Sequence, residues 1–328
     1  MQRFVDPAAP ELAPADPSGW LFTLLSLATT AAGLALSWAA FSWDAFSSDT
    51  GWPFGWPAWI LGQLLVATAF VQWFGILHEC GHRTFFRRRW INTAVGQVAG
   101  FFALIPYASW QRVHSLHHRW TGWQDLDPTT EGLSKPHGRL DRLIANVCWR
   151  YWIPIFSVIY RLANYWHLPR LKRYLPRGAA RPMLVNAAVL FALYAGIAIW
   201  LGPALLLRLT GIGLLLGLMF QDVFLLGQHT HVPQNLSQGA QVQPIPFVEQ
   251  ELFTRSVLFP PFISRYVLFG ADEHELHHMF PSIPGYHLRG LECPTENGID
   301  WWRFTLAARR LPGEVFLFQN RHQTGLEI

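Results

Sequence analysis

Charge is scarce in this chain of 328 residues: Asp, Glu, Lys and Arg make up 14% of it, against roughly 25% in a typical soluble domain. A water-soluble protein of this size needs more charge to coat its surface, so the shortage excludes an ordinary soluble enzyme. Lysine is rarer still, at Lys135 and Lys172 only. Cysteine is limited to Cys80, Cys148 and Cys293, without zinc-finger or disulfide-framework spacing. Residues 1–19 lack the basic n-region of a secretory signal, since Arg3 is their one basic residue. They are Pro/Ala-rich and are expected to form a disordered tail.

What is present is apolar. Hydrophobic residues reach 51%, with 17 Trp and 24 Phe. Uncharged runs extend over Trp20–Trp43, Pro57–Leu77 and Met183–Leu207, and the apolar pattern resumes after Arg208. About 20 apolar residues cross the hydrocarbon core as a helix. Four spans are therefore expected, near 20–42, 57–77, 183–202 and 204–226. Residues 20–328 then form one all-α integral membrane domain, made of two transmembrane hairpins and a helical cap.

The basic residues set the orientation. Sixteen of the 25 Lys and Arg lie between His78 and Pro182, and seven more follow Leu226. The loop from Ser42 to Trp56 has none and carries Asp44 and Asp49. The positive-inside rule places both termini and both polar blocks in the cytoplasm. A net charge of +4 thus reflects topology, and no nucleic-acid partner is expected. The ratio of 23 Arg to 2 Lys is that of a GC-rich bacterial genome, which points to an inner membrane. Trp90–Gln111 is also uncharged but holds Gly96, Gly100 and Pro106; it reads as a re-entrant or interfacial segment. Val147–Trp166 mixes Arg with aromatics and suits a helix lying in the interface.

Eight of the 14 histidines fall in three groups: His78-Glu-Cys-Gly-His82, His114-Ser-Leu-His117-His118 and His274-Glu-Leu-His277-His278. Residues three and four apart share a helix face, so each group can aim its imidazoles at one point. Two spans separate the second group from the third, which returns all three to one side of the membrane. Eight imidazoles exceed the four ligands of a zinc site, whereas two irons can absorb eight or nine. Imidazole also suits copper, zinc and nickel, so ligand type alone does not choose the metal. A ninth ligand is expected from Gln228-His229-Thr230-His231: His229 is preferred because it lies nearer the membrane end of its helix, and His231 is the alternative. Asp222, near the end of the fourth span, is expected to face the metal site or a substrate channel.

These motifs resemble the membrane fatty acid desaturases of the acyl-lipid type, which carry three histidine boxes separated by paired spans. The flanks match as well. Arg119-Trp-Thr121-Gly followed by Asp125-Leu-Asp127-Pro128 resembles that family's segment after the second box. Gln228-His229-Thr230-His231 resembles an element before the third, and His277-His278-Met-Phe280-Pro281-Ser-Ile-Pro284 its tail. The resemblance covers about residues 55–290. The departure is Asp272-Glu273 before His274, where the family often has Asn or Gln.

The resemblance implies two irons (Fe2+/Fe3+) held by His78, His82, His114, His117, His118, His229, His274, His277 and His278, with O2 as co-substrate. It implies removal of two hydrogens from adjacent carbons of a fatty acyl chain. Glu79, Asp127 and Glu275 would orient imidazole N–H groups. No HPGG haem segment is present, so electrons are expected from a separate ferredoxin, rubredoxin or cytochrome. The same scaffold hosts hydroxylases, ketolases and oxidative decarboxylases of fatty acids, alkanes or carotenoids, which stand as the alternative activity. A non-catalytic metal-binding membrane protein such as a transporter predicts more polar residues in the spans than Gln63, Gln72, Asn186, Arg208 and Asp222.

Overall fold

The computed structural model describes residues 5–42, 55–135, 137–175, 178, 180–326 and 328. Among the described residues four helices are long and apolar enough to cross a membrane: α1 (Asp16–Ser42), α2 (Gly55–His82), α7 (Ala180–Leu201) and α8 (Pro203–His229). Between the hairpins lie α3 (Arg89–Ala103), α4 (Tyr107–Trp120), α5 (Arg139–Tyr151) and α6 (Ile155–Arg161). After α8 come α9 (His274–Met279), α10 (Trp301–Ala308) and α11 (Gly313–Phe318). Sheet among the described residues is limited to β1 (Val257–Leu258) and β2 (Ile299–Asp300), paired in parallel. The architecture is that of an all-α membrane protein. The loop carrying Asp44 and Asp49 lies outside the described residues.

The outer faces of the spans are apolar, with Ile199 and Trp200 of α7 more than 80% exposed, as lipid contact requires. Between spans there is no hydrophobic driving force in lipid, and close backbone approach takes its place. Gly62 of α2 crosses Gly33 of α1, where an added Cβ would come 2.9 Å from the Gly33 carbonyl oxygen. Gly213 of α8 meets α2 at Val66, where a Cβ would stand 2.6 Å from the side chain and 2.8 Å from the Gln63 carbonyl oxygen. Buried Gln63 ties the three helices together. Its Nε2 donates to Ser37 Oγ and to the Leu209 carbonyl, both at 2.9 Å, and its Oε1 accepts from Gly213 N at 2.8 Å. Leu209 and Gly213 are the pair that an undisturbed helix would join to each other. Three of the polar span residues thus serve packing, since Gln72 donates to the Tyr266 carbonyl and Asn186 accepts from Ala108 N.

Gly213→Leu is expected to cost about 1–3 kcal/mol by overpacking, read as a lower unfolding temperature in detergent. Gly211→Leu is the control: a Cβ there meets only the Leu207 side chain, at 3.5 Å. Equal melting of the two variants would refute this contact as a packing determinant.

Three sequence expectations are refined. Residues 5–19 are not a disordered tail: Val5 and Leu12 pack against the cluster of Leu276, Ile283 and Leu288. Ala15 N donates to the Tyr286 hydroxyl at 2.8 Å, and Arg87 N to Asp16 Oδ1 at 2.8 Å. Composition alone missed this, because the partners come from distant loops. The segment at Trp90–Gln111 is broken, with α3 and α4 meeting at 102°. Leu104 turns the chain there at φ +60, and Gly100 makes room for the Ile105 carbonyl at 2.6 Å from a would-be Cβ. Finally, α2 and α8 run past their apolar stretches and end on His82 and His229.

Candidate metal centre

Each histidine box is placed by a different element, and helical geometry decides where its side chains go. His78 and His82 end α2, one turn apart. On α4 the buried face is Tyr107, Trp110, Val113, His114, His117 and His118. Its start is tied to the first box, since the Tyr107 hydroxyl donates to the Cys80 carbonyl at 2.9 Å. Short α9 is anchored in front by Asp272, which accepts from Ser264 Oγ at 2.6 Å and Phe259 N at 3.1 Å. That is the role of the unusual carboxylate before the third box. Its neighbour Glu273 lies 3.7 Å from Arg289 Nε, and burial, then Asp272, raises its carboxyl to about 7.

The imidazoles gather into two adjacent groups. His78, His82, His114, His118 and His277 bring one ring nitrogen each within 4.8 Å of one another, and so do His117, His229, His274 and His278. In each HxxHH box the first and last residues, four apart, face one group, while the middle histidine faces the other. The second and third boxes therefore interlock in opposite senses. In the first group the Nε2 of His114 lies 2.7 Å from that of His82, and that of His277 lies 3.0 Å from His118. In the second, His229 Nε2 is 2.7 Å from His274 and 3.1 Å from His117.

The donor set fits two metal ions. Burial, reinforced by the neighbouring rings, pushes the imidazolium pKa of His114, His118, His274, His277 and His278 well down, so these rings stay neutral, as ligation requires. Buried His278 Nε2 has no hydrogen-bond partner among the protein groups, although its Nδ1 is engaged. An imidazole nitrogen stranded beside the three other rings of its group is costly unless a cation takes its lone pair.

Several outer groups hold the rings. Asp127 Oδ2 lies 2.7 Å from His117 Nδ1, and its Oδ1 accepts from Thr129 N and Oγ1. Glu79 Oε1 lies 3.1 Å from His78 Nδ1, and Oε2 accepts from Gly285 N at 2.8 Å. Gln250 was not legible in the sequence. Its Oε1 meets His278 Nδ1 at 3.0 Å, and its Nε2 donates to the His118 carbonyl at 2.8 Å. It sits in a Pro- and Gln-rich connection with no periodic signal. Asp127→Asn is expected to lower metal affinity or turnover about 10–100-fold, because the amide no longer fixes the N–H of His117 by charge. Wild-type metal retention against a chelator series together with wild-type turnover would sink this role.

Glu275 does not orient an imidazole. It accepts from Asn297 N at 2.7 Å and Ser256 N at 3.1 Å, stitching α9 to the β1 region. Helix geometry turns it away from its histidine neighbours. Asp125 likewise serves structure, accepting from Ser237 N and Oγ. His231 lies outside both groups. The chain leaves α8 there at φ +56, and the ring reaches Thr324 Oγ1 at 3.0 Å and the Gln319 carbonyl at 3.2 Å. Asp222 accepts from Ser157 N and lines a cavity of about 290 Å³. That cavity is bounded by His78, His114, His117, His229 and His274 on one side and by apolar residues including Phe74, Trp110, Phe156, Ile159 and Leu133.

Four apolar spans capped by two buried polyhistidine clusters beside an apolar cavity define a membrane metalloprotein of lipid-facing chemistry. The family profile described as fatty acid desaturase matches residues 54–293, and the chain belongs to that family. It is 26% identical over 268 residues to an endoplasmic-reticulum omega-3 fatty acid desaturase of Vigna radiata var. radiata, a match covering 78% of this chain and 67% of that one. It is 25% identical over 247 residues to the chloroplastic sn-2 acyl-lipid omega-3 desaturase (ferredoxin) of Arabidopsis thaliana, covering 71% and 54% respectively. A shorter stretch of 71 residues is 39% identical to an sn-1 oleoyl-lipid 12-desaturase of a Picosynechococcus species, covering 22% of this chain and 19% of that one. The chain spans between about half and two thirds of the length of the plant relatives.

Proposed function

We propose that this protein is an oxygen-dependent fatty acyl desaturase with two irons, one in each histidine group. The observation that carries the reading is the convergence of nine imidazoles into two adjacent groups, five of whose rings line a cavity that also bears aromatic and aliphatic side chains. His78, His82, His114, His118 and His277 would hold one ion, and His117, His229, His274 and His278 the other. When bound, the irons supply the oxygen activation and electron transfer that side chains cannot.

The protein's own part is placement. Phe74, Trp110 and Phe156 line the cavity, exclude water and hold the alkyl chain. Asp127, Glu79 and Gln250 hold imidazole tautomers. Two hydrogens leave adjacent carbons, and with O2, two external electrons and two protons the products are one double bond and two waters. A separate donor delivers the electrons, and ferredoxin, which the name of the Arabidopsis relative carries, is the first to try, before rubredoxin or cytochrome. The site and both termini face the cytoplasm, by the distribution of Lys and Arg.

The test is lipid profiling of a host that expresses the chain with ferredoxin and its reductase. A new in-chain double bond is expected. A new hydroxyl, ketone or shortened alkene instead would overturn the desaturase reading. Purified protein is expected to carry about two irons, and zinc in their place would overturn the redox assignment.

A further inference from the structure

The cavity is lined by apolar side chains and by polar ones, among them Ser157, Asn164, Arg170 and Asp222 besides the histidines. Gln221 of α8 lines it, eight residues before His229 and so about 12 Å along the helix axis. Its side chain is buried. Its Oε1 accepts from the guanidinium of Arg161. A guanidinium only donates, so this contact fixes which way round the amide sits. The amide nitrogen, Nε2, is then left as a buried donor with no protein partner.

Arg161 is itself held firmly. It donates to the Ser157 carbonyl at 3.2 Å and the Ala103 carbonyl at 3.3 Å, and it lies over the Phe70 ring at 5.2 Å. Gln221 therefore cannot turn to satisfy its donor without breaking a charge-assisted bond. A buried amide donor without an acceptor is unfavourable, and a plain hydrocarbon chain passing it offers nothing to accept.

We propose that Gln221 Nε2 donates to an oxygen on the substrate's chain, so that the cavity selects an acyl chain bearing a hydroxyl or keto group on the membrane side of the histidines. This rests on the desaturase reading for the identity of the chain, and it concerns selection rather than the reaction. Gln221 acts as a specificity-determining residue for a chain already oxygenated at one position.

The experiment uses the full chain in lipid nanodiscs with radiolabelled octadecanoate as tracer. Competitors are octadecanoate and a series of monohydroxy-octadecanoates with the hydroxyl moved one carbon at a time. A narrow window of positions is expected to compete about tenfold better than the unsubstituted acid, the size of one hydrogen bond rescued from burial. In Gln221→Leu that preference is expected to fall to about one. Gln221→Met, closer in shape, replaces it if the leucine variant does not elute as a folded protein. Equal competition at every position in the wild type overturns the proposal and assigns the donor to a buried water, as does a preference that survives in the folded variants. Product analysis on the same preparations keeps the two readings apart. Double bonds formed equally in plain and hydroxylated chains uphold the desaturase and overturn the selectivity; selective binding with no double bond does the reverse.

Discussion

His229→Ala is expected to abolish turnover, by at least about 10³-fold, and to leave about one metal ion per chain instead of two, while His231→Ala keeps both ions. The two histidines are two residues apart in a single motif, yet their surroundings differ completely. His229 Nε2 approaches His274 and His117 at 2.7 and 3.1 Å, inside a group of four buried rings. Removing it leaves three ligands and an opening to the cavity, which it lines. His231 instead touches Thr324, Gln319 and Leu326. Its loss is expected to loosen residues 319–326, seen as faster proteolysis there, with metal content intact. Iron analysis beside turnover decides between them. Two irons in His229→Ala, or one in His231→Ala, would falsify the assignment of the ninth ligand.

Arg255→Met is expected to destabilise the protein by about 3–5 kcal/mol and to weaken the second metal group. Arg255 is 3% exposed, and among the described residues no carboxylate forms an ion pair with it. Its guanidinium donates to the carbonyls of Gly227, Thr230 and His231 at 2.7, 3.0 and 3.1 Å, and its backbone N to the Gln228 carbonyl at 2.9 Å. These are the orphan carbonyls at the end of α8, favourable for a cation by the helix dipole. Burial lowers the guanidinium pKa to about 10, which keeps it charged at neutral pH. Each acceptor stranded by its loss costs about 1–3 kcal/mol, and the three are not independent. Because His229 lies between Gly227 and Thr230, the same bonds position a proposed ligand. Arg255→Lys is expected to recover part of the stability, since a single ammonium lacks the planar fork. An unfolding temperature unchanged in Arg255→Met would rule out this clamp.

Much of the architecture is legible in the sequence. Spans require long uncharged runs, because lipid offers no solvation for charge, and such runs are visible in a linear string. The three boxes were legible because ligation needs imidazole, and helical spacing turns HxxHH into a directional pattern. Asp127 and Glu79 were legible from the residues beside them, and their carboxylates do meet His117 and His78. Gln250 was not, since its partner His278 is 28 residues away across an irregular connection. Glu275 looked equivalent to Glu79, with each following a box's first histidine, but its carboxylate turns to Asn297 and Ser256.

The sequence by itself determined the elements that are local: four apolar helices and which histidines can share a face. Those follow from hydropathy and a 3.6-residue period, and neither depends on distant partners. Only the tertiary structure decided how the boxes interlock, with the middle histidine of each HxxHH crossing to the other group. It alone separated His229 from His231, and it alone left the buried Gln221 amide nitrogen without a partner among the described residues. Each of these is set by contacts between residues far apart in the chain, and the packing of helices against one another has no counterpart in linear spacing.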